Sequence, residues 1–256
     1  MKLAKLLIKK IYRSKLSMDV RNLFGFKPPI FSIDLNKKNL STSDAFFWRT
    51  DSGYSTIFKY SDILNLFFKT NNSKVSIMFY DKNNNLIKTK RISELELSNT
   101  IILDKFFFDG LEDYGVFYIF HETSKEINSA IRNSCYTGYS LNKNLASFVH
   151  GNLITGVKTF DGNSSIFGII GSSKLRKNTY KIQNFYNFDK TEIAIMNPTK
   201  KKLEIVVNDQ KILLETCCSK IVNIGKNQTI KIISNCYLLR PIIFNYQSHY
   251  IDVYHG

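Results

Sequence analysis

The stretch Arg132 to Val157, RNSCYTGYSLNKNLASFVHGNLITGV, concentrates the side chains best suited to recognise or transform a ligand. Arg132 can pair with a carboxylate or stabilise developing negative charge. His150 titrates near neutrality and can serve as a general base. Tyr136 and Tyr139 offer flat apolar faces ending in a hydroxyl, and Asn152 both donates and accepts. Gly138, Gly151 and Gly156 punctuate the run, as glycines do where backbone or ligand comes close. An Arg, two Tyr, a His and an Asn make up the polar equipment of a pocket for hydroxyls or a carboxylate. A histidine on a half-apolar strand also has a purely structural reading, as a hydrogen-bonded core residue.

Two further groups join this set. Trp48, the only tryptophan, and Arg49 lie in FFWRTD. If exposed, Trp48 is a platform for a sugar ring; next to Phe residues, a solitary Trp is more often core. The terminal HYIDVYHG supplies His249 and His255, with His255 added to the candidate binding residues. A metal set of His150, His249 and His255 is the alternative, but Asp252 points to the opposite strand face, so at most two side chains of this segment converge. No CxxC spacing, nucleophile elbow, nucleotide-binding loop or telling pair of carboxylates occurs; GNSSIFGIIGSS lacks the GxGxxG order. No cofactor is expected.

The elements that must position these groups are strands. The 256 residues are 43% hydrophobic and 14% aromatic, enough for one large or two smaller cores. Runs such as KVSIMFY (74–80), LIKTKRI (86–92), GVFYIFH (115–121), TEIAIMN (191–197), KLEIVVN (202–208) and TIKIIS (229–234) recur at sandwich spacing. DKNNN (81–85) and GKNQ (225–228) are turns, Asn-Pro-Thr at 197–199 is another, and Pro241 must lie at a strand edge or bulge. DILNLFF (62–68) is compatible with a strand or a short helix. Lys74-Val75-x-Ile77 with Asp81 is echoed at the same offsets by Lys202-Leu203-x-Ile205 with Asp209, each unit followed by a strand closing on an aromatic, Phe120 or Phe244. The echo suggests internal duplication. The expected fold is all-β: two immunoglobulin-like or jelly-roll-like antiparallel sandwiches, at 28–125 and 161–256, joined by a central stretch 126–160.

Residues 1–27 stand apart. They hold eight Lys/Arg against one Asp, a large part of the net charge of +15. Leu3, Leu6, Leu7 and Ile11 fall at helical spacing with Lys2, Lys5, Lys9, Lys10 and Arg13 largely on the other side, a basic amphipathic helix. The apolar run is too short and too broken by Lys to cross a bilayer or form a signal-peptide core. Such a helix either lies on an anionic membrane or packs on the β body. Elsewhere Arg is scarce and scattered, which argues against nucleic acid. The sparse cysteines suit reduced thiols in the cytoplasm, peripheral to the inner membrane face if the helix meets lipid.

The segments FWRTDSGYSTIF (47–58), CYTGY (135–139), SFVHGN (147–152), NPT (197–199) and the closing DVYHG give the chain a resemblance to uncharacterised two-lobed β-sandwich proteins encoded in bacterial surface-polysaccharide gene clusters. The resemblance implies a cell-envelope glycan setting. The resulting expectation is a non-catalytic protein that binds a glycan or a protein partner. The alternatives are an enzyme of glycan modification using His150 as base, with Arg132 stabilising charge, and an oligomeric assembly protein whose strand edges pair.

Overall fold

The computed structural model describes residues 2–12, 14, 16–17, 20–21, 39–132, 135–152, 154–160, 164–166, 172, 177–183, 187–199, 201–226, 229–236 and 239–256. FSIDL (31–35), whose residue types predict a strand, and most of 167–176 lie outside them. The described chain is mostly β, with several antiparallel sheets in sandwich-like layers.

In the first lobe one sheet has the order β2 (Phe46–Arg49), β7 (Tyr114–Glu122), β4 (Lys74–Asp81), β5 (Leu86–Ile92). Its partner sheet has the order β10 (Ser147–His150), β9 (Tyr136–Leu141), β3 (Tyr54–Ser61), β6 (Ser98–Leu103). In the second lobe the order β13 (Asn178–Gln183), β18 (Thr229–Ser234), β15 (Leu203–Val207), β16 (Gln210–Leu214) faces β17 (Ser219–Gly225), β14 (Lys190–Met196), β19 (Ile242–Gln247), β20 (Tyr250–His255). Counting the eight strands described in these sheets of each lobe in chain order, both lobes pair them as 1-6-3-4 in one sheet and 8-7-2-5 in the other. The duplication suggested by the echo is therefore a repeat of topology, and the echoed segments are the third strand of each lobe. The two aromatics do not correspond: Phe120 lies on a sixth strand and Phe244 on a seventh.

The central stretch is less a connector than part of the first sandwich, because β9 hydrogen-bonds onto β3 and β10 onto β9. A small sheet, β12 (Ser164–Ile166), β11 (Ile154–Thr159), β1 (Leu40–Asp44), β8 (Ala130–Arg132), adjoins it, with β1 and β8 parallel. The sequence explains how β1 serves two neighbours. Its Ser43 and Ser41 hydroxyls accept from Ile119 N and His121 N, both at 2.9 Å, standing in for backbone carbonyls beside β7. The backbone of β1 is thereby left to pair with β11 and β8.

Alternation sorts the side chains between three cores. Phe46, Trp48, Val75, Ile77, Phe79, Phe117 and Ile119 fill the first sandwich. Ile193, Ile195, Ile205, Ile230, Ile232 and Ile243 fill the second. The opposite faces of the same strands, Phe47, Val116, Tyr118 and Phe120 against Ala194, Met196, Ile242 and Phe244, make a third core between the lobes. Strands β2, β7, β14 and β19 are thus apolar on both faces, which reads as a continuous hydrophobic run rather than an alternation. DILNLFF resolves as a helix, α2 (Ile63–Phe68), because the Asp62 carboxylate accepts from Asn65 N at 3.0 Å as an N-cap and Lys69 ends the turn at φ 51. At the N-terminus α1 (Lys2–Tyr12) is a helix as its periodicity requires. Among the described residues no helix is long and apolar enough to cross a membrane.

Candidate functional site

The hairpin of β9 and β10 carries Tyr136 and His150, two exposed members of the sequence-derived site. Its turn uses Asn142 and Lys143, both left-handed at φ 50 and 63, the geometry that matches the twist of paired strands. The register sets His150 opposite Tyr136, Tyr136 opposite Lys59 and Lys59 opposite Thr100, one row across the outer face of the sheet. The adjacent row is Phe148, Gly138, Ile57 and Ile102. Tyr136 is 44% exposed, Phe148 40% and Ile102 58%. The Tyr136 and His150 rings lie 4.6 Å apart, tilted by 44°. Gly138 is where the Phe148 ring lies down on the sheet, since a Cβ there would come within 2.5 Å of that ring. Lys59 Nζ stands 5.2 Å from the centre of the same ring. The result is an open, nearly flat face with two aromatic rings, an imidazole and an ammonium.

A charged group borders it. Arg132 makes a bidentate pair with Asp44, Nε and Nη2 each 2.9 Å from a carboxylate oxygen, with Arg132 half exposed and Asp44 buried. Burial pushes the Asp44 carboxyl above its ordinary value, while the hydrogen bond and charge of Arg132, with Arg240 and His150 nearby, pull it back. Arg132 is raised, chiefly by its hydrogen bond to Asp44. His255 Nε2 lies 2.8 Å from the His150 carbonyl, so this nitrogen carries a proton and donates. Burial holds the His255 imidazole below the usual histidine value, with its hydrogen bond to the His150 carbonyl opposing. His255 therefore joins the last strand of the second lobe to the last strand of the first, and Ser147 reinforces the same edge by accepting from Val253 N at 3.0 Å.

Four expected binding residues are corrected by burial. Trp48 is fully enclosed, stacks on Phe108 at 4.2 Å and donates Nε1–H to Tyr80 O at 2.9 Å, so no sugar reaches it. Tyr139 is equally buried, its hydroxyl donating to Phe47 O at 2.9 Å. Asn152 is a link between lobes: its backbone N–H donates to Ala45 O and its Nδ2 to Arg240 O, at 2.9 and 2.7 Å. It lines, with Ala45, Val116, Met196 and Asn197, a cavity of about 10 Å³, room for roughly one water molecule. Arg49 is the fourth. Its Nη1 reaches Glu192 Oε2 at 2.9 Å across the lobes, its Nε and Nη2 hold Asp51 at 2.9 and 2.7 Å, and its guanidinium lies 3.7 Å over the Tyr54 ring. Burial opposes that charge, but the bond to Asp51 and the surrounding negative charge outweigh it and raise Arg49. Burial likewise works against the charged form of Glu192, yet Arg49, Lys190 and Tyr246 together hold its carboxyl low.

The histidine set for a metal does not assemble. His249 sits in the turn before β20 and His255 at its end, about 20 Å apart along an extended chain. Among the described residues no group of three His, Cys, Asp or Glu side chains could hold a metal ion.

Sequence reasoning missed Asp44, Lys59, Arg240 and Glu192. Asp44 and Arg132 are 88 residues apart and Arg49 and Glu192 143 apart, so only tertiary register reveals either pair. Phe148 had a signal, since it shares its strand face with His150. A scan against protein-family models matched none, and searches of the curated proteins and of the solved structures returned no match.

Proposed function

We propose that this chain is a non-catalytic binding protein that takes a glycan on the outer face of the β10-β9-β3-β6 sheet, in the surface-polysaccharide setting that its sequence resemblance implies. One observation carries the reading: Tyr136, Phe148 and His150 are presented together on an exposed face of paired strands, with Lys59 beside them. Aromatic faces stack on the apolar side of sugar rings, and polar groups at their rim bond hydroxyls. Lys59 and the net charge of +15 favour a glycan bearing carboxylate or phosphate groups. An open face suits binding better than acid–base chemistry, which profits from excluded water. Arg132, the group named for charge stabilisation in an enzyme, is already committed to Asp44.

Calorimetric or NMR titration with neutral and acidic oligosaccharides tests this. Acidic oligosaccharides should bind, and Tyr136→Ala and Phe148→Ala should each weaken binding about fivefold, as loss of an aromatic contact of ~1 kcal/mol predicts. Absence of binding in both sets, or binding indifferent to both substitutions, sinks the reading.

A second reading has its own support in the repeat. The equivalent face of the second lobe, with Ala194, Met196, Ile242 and Phe244, is covered by the first lobe. A protein partner presenting a sheet face, a second copy being the simplest, would cover the β10-β9-β3-β6 face in the same manner. Light scattering at rising concentration distinguishes the two: a mass increase abolished by Ile102→Lys favours the protein partner, and an unchanged monomer rejects self-association.

A further inference from the structure

We infer that α1 is a docking helix for an anionic lipid surface. Every side chain of this helix that the structure describes is exposed: Ala4, Leu7, Ile8, Lys10, Ile11 and Tyr12. Leu7 is 59%, Ile8 66% and Ile11 60% open, so these three apolar side chains do not pack on the β body. At 100° per residue the positions of Ala4, Leu7, Ile8 and Ile11 fall within one arc of the helix, while the positions of Lys2 and Lys9 map to the opposite side. The helix end is also held. The Arg21 guanidinium bonds the Tyr12 carbonyl at the C-terminus of α1, lies 3.7 Å over the Tyr12 ring, and bonds Ser17 Oγ at 2.7 Å. A cation at a helix C-terminus suits the dipole, so Arg21 stabilises the turn without occupying the apolar arc.

An apolar arc in water with lysines behind it matches the boundary between acyl chains and acidic headgroups: the arc enters, and the ammonium groups reach the headgroups. Charge selects the occupant. Residues 1–27 carry eight Lys/Arg against one Asp, and a neutral apolar surface would make no use of them. Nucleic acid would engage the cations and leave Leu7, Ile8 and Ile11 in water, which is why lipid is the better fit. The inference stands apart from the glycan reading, since vesicles that contain no glycan test it.

The experiment is co-sedimentation of the full chain with vesicles of phosphatidylcholine alone and of phosphatidylcholine mixed with phosphatidylglycerol. Binding is expected to the mixed vesicles only, to fall steeply with added salt, and to drop about tenfold or more in each of two variants, Leu7→Glu/Ile11→Glu and Lys9→Glu/Lys10→Glu. The Leu7 and Ile11 positions are exposed, so the β body should fold unchanged, which circular dichroism checks. Equal binding to neutral vesicles, retention of binding by the Leu7→Glu/Ile11→Glu variant, or displacement of the vesicles by a mixed-sequence DNA duplex at stoichiometric concentration would each overturn the inference.

Discussion

Replacing Arg49 by methionine removes the charged link between the lobes while keeping an unbranched side chain in its place. The substitution leaves Glu192, whose side chain is 11% exposed, with Lys190 and the Tyr246 hydroxyl as partners, whereas Asp51 at 26% can turn to water. Breaking a buried pair by deleting one member costs roughly 3–5 kcal/mol. Lys190 compensates part of the Glu192 charge, which places the expected loss near the lower end, about 3 kcal/mol. The stack of the guanidinium on Tyr54 adds about 1 kcal/mol to that loss. Adding Glu192→Leu removes the stranded carboxylate, so the double variant should be more stable than Arg49→Met alone by roughly 1–2 kcal/mol. Urea unfolding is the assay, read by two probes. Trp48 fluorescence reports the first sandwich, where the only tryptophan is buried, and far-ultraviolet circular dichroism reports both lobes. The two curves should separate in Arg49→Met, because the surviving apolar contact couples the lobes less tightly. A loss below ~1 kcal/mol in Arg49→Met, or a double variant as unstable as the sum of the singles, would refute the account of Arg49 as an interlobe clamp.

His121 supplies a pH prediction: burial holds its imidazole down to about 4, against an ordinary 6.5, with Asp62 opposing. The unfolded chain therefore binds the proton first as pH falls from 6.5, and stability drops through that window until the folded form also protonates near 4, a loss of roughly 3 kcal/mol. The difference in unfolding free energy from urea titration between the parent and His121→Leu should shift against the parent by that amount between pH 7 and 4, and a constant difference would contradict it. Asn197→Ala should cost about 3 kcal/mol, since its Nδ2 donates to the carbonyls of Lys201, Leu214 and Glu215 and its Oδ1 accepts from Thr199, leaving buried groups unpaired. Thermal unfolding of Asn197→Ala and Asn197→Asp measures it, and the aspartate should not rescue, because it cannot donate.

Much of the architecture was legible because strand formation is a local matter. LIKTKRI and TIKIIS are strands over the same residues in the fold, and Val75, Ile77 and Phe79 turn inward together as period two demands. The all-β class and the basic amphipathic helix followed from the same patterns. The Asp62 cap decided DILNLFF in favour of a helix, a signal that periodicity over so short a run could not weigh.

The candidate site was proposed from residue type alone. Tyr136 and His150 meet because the strand register pairs them, and the alternation in SFVHGN already set Phe148 and His150 on one side. What alternation leaves open is which side faces water. Trp48, Arg49 and Tyr139 have the side chains of a binding surface, yet the second lobe and the opposing sheet close over them, and Arg49 finds its counter-charge 143 residues away. Local sequence determines strand, turn and helix because those depend on neighbouring residues along the chain. Only tertiary packing, of sheet on sheet and of lobe on lobe, decides exposure, and with it which polar groups stay open to solvent and which bind each other.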